Sequence, residues 1–323
     1  MRAVVVDSPN QLSWREVPDV HPRDGEVLIK VAAAGVNRAD LLQAAGHYPP
    51  PPGASEILGL EVSGTIAELG TGVAAPKIGQ PVCALLAGGG YAEYVAVPAP
   101  QVMPPPDGVE LHEAAALPEV ACTVWSNLVM TARLSEPETL LVHGGASGVG
   151  THAIQVAKAL GVRVAATAGS AAKLQITADL GADIGINYHD EDFVAVLNRE
   201  GGADVILDII GAAYLDRNIS ALAPDGRLVV IGLQGGVTAE LNLAKLHAKR
   251  GHVIATALRS RPVTGRGGKG PIVEQVVKNV WPLIAERKVR PVIGAVFPIT
   301  EAAAAHKCLA DGEVSGKVIL RID

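Results

Sequence analysis

The stretch Leu140-Leu141-Val142-His143-Gly144-Gly145-Ala146-Ser147-Gly148-Val149-Gly150 constrains this chain more than any other. It reads as a buried strand, a glycine-rich turn and the start of a helix. The helix is expected over 151–160, with Ala153, Val156, Ala157 and Leu160 on one apolar face and Gly161 ending it. That order points free backbone N–H groups and the positive end of a helix dipole at one spot, where a pyrophosphate can sit. Against the pattern G-x-G-x-x-G, Gly145 to Gly150 carries Ser147 where the middle glycine belongs. The strand–loop–helix context gives the motif its weight.

An NAD site ordinarily has an acidic residue about 20 positions after the glycine run, to bind ribose hydroxyls. No Asp or Glu occurs from Gly144 to Ala178. The next strand instead runs into Gly169, Ser170 and Lys173. A hydroxyl and an ammonium suit a phosphate, whereas a carboxylate would repel it. NADP(H), in its reduced form NADPH, is therefore the expected cofactor.

The pattern beyond the loop divides in two. Over 140–143, 162–166, 184–187, 205–208, 228–231 and 253–257 strands are expected, with helices between them, including 171–180 and 191–198. This alternation implies a parallel sheet covered on both faces. The first third is β-rich, with strands expected over 26–33, 61–68, 81–86 and 92–97 and many glycines between them, which suggests a partly open barrel. Tyr48-Pro49-Pro50-Pro51-Pro52-Gly53 reads as a stiff loop. Helices over 110–117 and 120–131 lead into the alternating region. A helix over 271–287, a strand over 290–297 and a last strand over 316–322 follow it. The segment 259–270, rich in Gly, Arg and Pro, reads as a mobile loop whose four basic residues are solvated.

The chain has 323 residues, a net charge of −6, 49% hydrophobic and 19% charged residues. It is long enough for two domains with their own cores. No basic stripe points to nucleic acid, and no apolar run is long enough to span a bilayer. The N-terminal residues read as a strand and not as a signal peptide, so a cytoplasmic location is expected. Cys83, Cys122 and Cys308 form no C-x-x-C pair, and the nine histidines show no ligand spacing, so no metal is expected.

Further motifs carry a family resemblance. Gly35-Val36-Asn37-Arg38-Ala39-Asp40, Gly59-Leu60-Glu61-Val62-Ser63-Gly64, Gly89-Gly90-Tyr91-Ala92-Glu93-Tyr94, and Leu117-Pro118 with Thr123-Val124-Trp125 resemble the zinc-independent quinone oxidoreductases (zeta-crystallin-like) of the medium-chain dehydrogenase/reductase superfamily. Tyr48 through Gly53, His143 through Gly150, Gly169-Ser170 with Lys173, Leu258-Arg259-Ser260-Arg261 and Gly316-Lys317 resemble the p53-inducible subgroup.

The resemblance implies an α/β protein. A GroES-like β-rich catalytic domain would come from 1–122 and 263–323, with a Rossmann domain of 123–262 inserted between. It implies NADPH, no zinc and a homodimer built through the edge of the Rossmann sheet. Zinc-using relatives have cysteine at the position of Asn37 and histidine at that of Leu60, and neither an amide nor an alkyl chain replaces those ligands. It places Thr123 near the nicotinamide, Gly145, Ser147, Gly148 and Val149 at the pyrophosphate, and Gly169, Ser170, Lys173 and Tyr188 around the adenosine phosphate. Gly211, Gly232 and Leu233 would line the strand ends, with Leu258 and Lys317 closing the cleft.

Asn37 and Tyr48 are the expected hydrogen-bond donors to an acceptor, with Asp40 orienting Asn37 or capping a helix. The implied reaction is hydride transfer from NADPH to a quinone. Reduction of an enone or enoyl double bond, and a non-catalytic NADPH-binding sensor or structural role, are the alternatives.

Overall fold

The computed structural model describes residues 1–322. The chain divides into two compact units. One comprises Met1–Cys122, Leu258–Arg287 and the chain from Pro291 onward, and the other comprises Thr123–Ala257 and Lys288–Arg290.

The strands of the first unit begin with β1 (Arg2–Ser8), β2 (Gln11–Glu16), β3 (Glu26–Val36), β4 (Glu61–Leu69), β5 (Pro81–Leu85), β6 (Tyr94–Pro98) and β7 (Val102–Met103). The second unit contributes β8 (Thr139–Val142), β9 (Arg163–Ala168), β10 (Ile184–Asn187), β11 (Ala203–Asp208), β12 (Leu222–Val230) and β13 (His252–Ala255). The chain returns to the first unit for β14 (Ile293–Pro298) and β15 (Lys317–Arg321).

In the first unit β1 and β2 pair as a hairpin, and a seven-stranded sheet runs β14-β15-β3-β4-β5-β7, with β6 also on β3. The central strand, β3, is buried on both faces. Val27, Ile29 and Val31 alternate into the main core with Val62, Ile66, Val82, Val318 and Leu320. Ala33 turns to the other face, where Ala115, Ala116 and Ile319 pack. The face changes there because the pairing with β4 shifts register between Val31 and Ala33, after which Ala34 and Val36 join the main core.

The second unit is a six-stranded parallel sheet in the order β10-β9-β8-β11-β12-β13. Counted along the chain this is 3-2-1-4-5-6, the doubly wound order whose direction reverses between its first and fourth strands. All four residues of β8 are buried, and Leu141, Ala165, Ile206, Phe193 and Leu228 share one core. No helix of the described residues is long and apolar enough to cross a membrane.

Several elements differ from the sequence expectation. The helix after the glycine loop begins at Gly148, because the Ser147 hydroxyl accepts from the Gly150 amide and caps it there. The helix expected over 110–117 shortens to Leu111–Ala114, since Pro118 opens a new helix and disfavours helical backbone before it. The helix expected over 120–131 becomes Pro118–Val124 followed by a π-helical stretch, Trp125–Thr131. There the Asn127 amide donates to the Thr123 carbonyl at 2.8 Å and the Thr131 hydroxyl donates to the Ser126 carbonyl at 2.7 Å, competing with the backbone ladder. The helix expected over 271–287 splits into Lys269–Asn279 and Trp281–Ala285, because Pro282 has no N–H to continue the ladder.

The segment 259–270 needs the largest correction. Its basic residues are not all solvated: Arg259 is 5% and Lys269 4% exposed. Arg259 is buried because carbonyls far away in sequence receive its guanidinium.

Candidate active site

The glycine loop of the second unit sits at the C-terminal end of β8, beside the point where the strand order reverses. Its glycines are sterically required. A Cβ on Gly145 would lie 2.8 Å from Ala166 Cβ, and one on Gly150 would lie 2.3 Å from the Gly144 carbonyl oxygen. Thr167 on β9 anchors the loop. Its carbonyl accepts from the Gly145 amide at 2.9 Å, and its hydroxyl oxygen accepts from the Gly144 amide at 3.2 Å.

That hydroxyl also meets His143 Nδ1 at 3.2 Å, while His143 Nε2 lies 2.7 Å from Asn218 Oδ1. Burial lowers the His143 pKa to about 4, so the ring is neutral, donates to Asn218 through Nε2 and accepts from Thr167 through Nδ1. With Ser147 capping Gly150, the amides of Gly148 and Val149 have no intrahelical acceptor. They and the helix dipole form an anion-binding corner.

Around the ends of β9 and β10, Gly169, Ser170 and Tyr188 come together. A Cβ on Gly169 would lie 2.3 Å from the Tyr188 hydroxyl. Ser170 caps the helix Ala171–Asp179 by accepting from the Lys173 amide at 3.3 Å, so Lys173 stands in its first turn. Tyr188 is 44% exposed, and its ring lies 4.6 Å from that of His189. His189 stands beside them, its Nε2 3.3 Å from where a Cβ on Gly169 would lie.

At the ends of β11 and β12, buried Asp208 accepts from the Ile210 and Gly211 amides, at 2.7 and 3.0 Å. Burial raises its pKa. A Cβ on Gly232 would lie 2.8 Å from the Ile209 carbonyl oxygen, and Leu233 is 55% exposed. Thr123 is buried, and its carbonyl accepts from the Asn127 side chain. Leu258 and Lys317 belong to the first unit.

The first unit holds a second polar cluster. Asn37 stands at the end of β3 and caps the helix Arg38–Ala44. Its Nδ2 donates to Glu61 Oε1 at 2.9 Å, and its Oδ1 accepts from Lys317 Nζ at 2.5 Å. Lys317 Nζ also donates to the Val36 carbonyl at 3.1 Å and pairs with Glu61 Oε1 at 2.6 Å. Two of its N–H groups are thus hydrogen-bonded within the chain, and Glu61 meets its charge. The other Glu61 oxygen accepts from the Glu119 amide at 2.9 Å.

Asp40 is fully buried. It accepts from the amides of Asn37 and Gly59, at 2.8 and 3.1 Å, and from the Tyr91 hydroxyl at 3.2 Å. Burial raises its pKa to about 6, against those hydrogen bonds and the charge of Lys317. Asp40 thus holds the Asn37 backbone at the start of the helix Arg38–Ala44. Tyr91 continues the chain to His306 Nε2 at 3.2 Å, and burial lowers the His306 pKa to about 4.

Tyr48 stands apart from this cluster and is half-buried. Burial raises its pKa despite the opposing charge of Arg259, so the phenol keeps its proton. Arg259 lies over the ring at 5.2 Å and donates to the Tyr48 carbonyl at 3.3 Å, to the Ala87 carbonyl at 2.8 Å and to Gln43 Oε1 at 2.6 Å.

Comparison with known proteins agrees with this geometry. Residues 23–107 match the alcohol dehydrogenase GroES-like domain, and residues 148–266 match the family described as zinc-binding dehydrogenase. The mouse quinone oxidoreductase is 31% identical over 306 residues, covering 93% of this chain and 90% of that protein. The chain belongs to the quinone oxidoreductase family of the medium-chain dehydrogenase/reductase superfamily. Among solved structures, Escherichia coli quinone oxidoreductase complexed with NADPH superposes with a TM-score of 0.88 at 27% identity, over 99% of this chain and 98% of that one. A phenolphthiocerol/phthiocerol polyketide synthase subunit of Mycobacterium tuberculosis is 30% identical over 98% of this chain, which spans only 14% of that protein's length.

One of the matched families is named for zinc, and this donor set does not fit a zinc ion. Leu60 is a buried alkyl chain, and the Asn37 carbonyl oxygen already accepts from the ammonium of Lys317. Among the described residues no group of three or more His, Cys, Asp or Glu could hold a metal. The glycine cradle, by contrast, fits a dinucleotide, because side chains at Gly145 and Gly150 would close it.

Proposed function

We propose that the chain is an NADPH-dependent quinone oxidoreductase that works without zinc. The observation that carries the reading is the state of the acceptor-side polar groups. The Asn37–Lys317–Glu61 cluster is satisfied within the chain, and the half-buried Tyr48 phenol, held protonated, makes no side-chain hydrogen bond among the described residues. Such a site has a weak donor and no strong acid or base. A quinone suits it, because reduction leaves a phenolate already stabilised by resonance. Oxidation of an alcohol would require a group to take the hydroxyl proton.

For the cofactor, Gly148 and Val149 would hold the pyrophosphate with their amides. Gly145 lets it approach, and Ser147 fixes the helix start. Ser170, Lys173 and Tyr188, beside Gly169, would hold the ribose phosphate; the E. coli relative solved with NADPH supports that choice. Thr123, Gly211, Gly232, Leu233 and Leu258 complete the proposed set. Lys317 serves it indirectly, since Glu61 meets its charge and Asn37 accepts from it. The nicotinamide supplies the hydride when bound. Asn37 keeps one N–H of its amide only loosely engaged, 3.5 Å from the Gly35 carbonyl, and Tyr48 offers its hydroxyl to the acceptor oxygen.

The domain limits proposed are 1–122 with 263–323, and 123–262, with Leu258 to Pro262 moved to the first domain as in the compact units. A homodimer through the edge of the parallel sheet is supported by β13, whose outer side is unpaired, and by exposed Val253, Leu241 and Leu243. A cytoplasmic location belongs to the same reading.

The match to a polyketide synthase favours one second reading, reduction of a carbon–carbon double bond with Tyr48 as proton donor. Steady-state assays of the wild type and Tyr48→Phe with a quinone and an alkyl enone separate the two. We expect the quinone to be the faster acceptor, and the variant to lose several-fold in turnover with it. Faster enone turnover, abolished in the variant, would favour the second reading.

A further inference from the structure

Arg259 and Lys269 are buried cations with no acid partner among the described residues. Lys269 is 4% exposed, and among the described residues its ammonium has one hydrogen-bond partner, the Arg261 carbonyl at 2.7 Å. Burial lowers the pKa of both groups, and Arg259 lowers that of Lys269 further, so the two cations lie within electrostatic reach of each other. The partners of Arg259 are all neutral: two carbonyls, the Gln43 amide and the Tyr48 ring. Of its five N–H groups three are engaged, leaving one on each terminal nitrogen. Nearby, the buried Nε of Arg261 has no hydrogen-bond partner among the described residues.

Asp40 is the carboxylate that acts on Arg259, but it makes no ion pair with it and its oxygens are taken by Asn37, Gly59 and Tyr91. Elsewhere in the chain, shielded cations are matched. Lys317 has Glu61 at 2.6 Å, and Arg227 has Glu138 at 2.7 Å. A desolvated guanidinium without a counter-ion costs stability. A chain that keeps one, stacked on a half-buried tyrosine, has left a place for an anion that arrives with a ligand.

We propose that Arg259, backed by Lys269, is a catalytic residue that receives an anionic oxygen of the acceptor, on the face next to the Tyr48 ring. This deepens the reading of the protein as a quinone oxidoreductase and rests on it. A bound reduced nicotinamide would supply the hydride, one of its C–H bonds breaking and the electron pair passing with the hydrogen to the quinone. The electron pair of a former C=O π bond comes to rest on oxygen, giving the hydroquinone monoanion. The guanidinium holds that oxygen until water or the Tyr48 hydroxyl supplies a proton. Acceptors with a carboxylate of their own would use the same donors, so the class recognised is a flat ring with an anionic oxygen at its edge.

The test uses the full chain and two readouts. Benzoate and its neutral isostere benzamide are titrated calorimetrically into the wild type, Arg259→Met and Arg259→Lys without cofactor. The wild type should prefer benzoate by at least about tenfold, and Arg259→Met should lose that preference, because the charge-assisted guanidinium–carboxylate pair is gone. Arg259→Lys keeps the charge without the fork and should fall between. In steady state, Arg259→Met should lose about 100-fold in kcat with a neutral quinone if the oxygen develops charge in the reaction. A rise confined to KM for a carboxylated quinone would assign the site to a pre-existing anion.

NADPH affinity should be unchanged in all three proteins. If Arg259→Met does not fold, Lys269→Met carries the same prediction at smaller size. Equal benzoate and benzamide affinities in the wild type, or quinone kinetics unmoved in Arg259→Met, would overturn the proposal. Arg259-dependent benzoate binding without turnover of any quinone would keep the site and remove the activity assigned to it.

Discussion

Lys317 and Arg259 lie in the same unit and are equally buried, each 5% exposed, yet they have opposite surroundings. Lys317 spends its ammonium on Glu61, Asn37 and the Val36 carbonyl. Arg259 touches only neutral groups and keeps two donors unfilled. The first arrangement is closed and holds the chain together. The second is open and is complete only with a ligand. Burial alone therefore does not separate a structural charge from a functional one; the partner list does.

The sharpest way to break this contrast is to remove an acid from the closed cluster. Glu61→Ala leaves the Lys317 ammonium buried and unpaired, and should cost about 3–5 kcal/mol in chemical denaturation. Arg259→Met exchanges an uncompensated buried cation for an apolar chain, and should change stability by less than about 1 kcal/mol in either direction. Similar losses in the two variants would end the distinction.

pH tests the same logic on other buried groups. Burial lowers His143, His152 and His306 from 6.5 to about 4, so the folded chain refuses protons that the unfolded chain accepts. Their contribution to stability is full above pH 6.5 and is lost as pH falls toward 4. Asp40, raised from 3.8 to about 6, works the other way: its contribution is full below 3.8 and is lost as pH rises through 6. Against the three histidines stand Asp40 and Asp208, whose pKa burial also raises; the histidines set the sign, and melting temperature should fall between pH 6.5 and 4.5. A flat or rising profile would contradict the burial assigned to these histidines.

The smallest effect concerns the cofactor end of the second unit. Lys173→Ala should weaken NADPH by about tenfold and leave NADH unchanged, as expected for one charge-assisted contact to phosphate. Equal losses for both would remove the phosphate from Ser170, Lys173 and Tyr188.

Much of the architecture was legible in the sequence because it is written locally. Apolar runs bounded by glycines placed the six parallel strands, and the loop from Gly144 to Gly150 marked the end of the first of them. The acid-free run after it pointed to Gly169, Ser170 and Lys173. What escaped was written at long range. Arg259 stands among Gly, Pro and Arg and reads as solvated, because the carbonyls of Tyr48 and Ala87 that bury it lie about two hundred residues earlier. The filling of Asn37 by Lys317 and Glu61 escaped in the same way, since three separate strands and strand ends bring those groups together. The π-helical stretch at 125–131 depends on which carbonyls the Asn127 and Thr131 side chains reach, and periodicity does not carry that information.

The most direct measurement is the rate at which the purified protein consumes NADPH, and in parallel NADH, with phenanthrenequinone as the sole acceptor. The account predicts quinone-dependent oxidation of NADPH, with kcat/KM for NADPH exceeding that for NADH. Tight NADPH binding without quinone-dependent oxidation would contradict it.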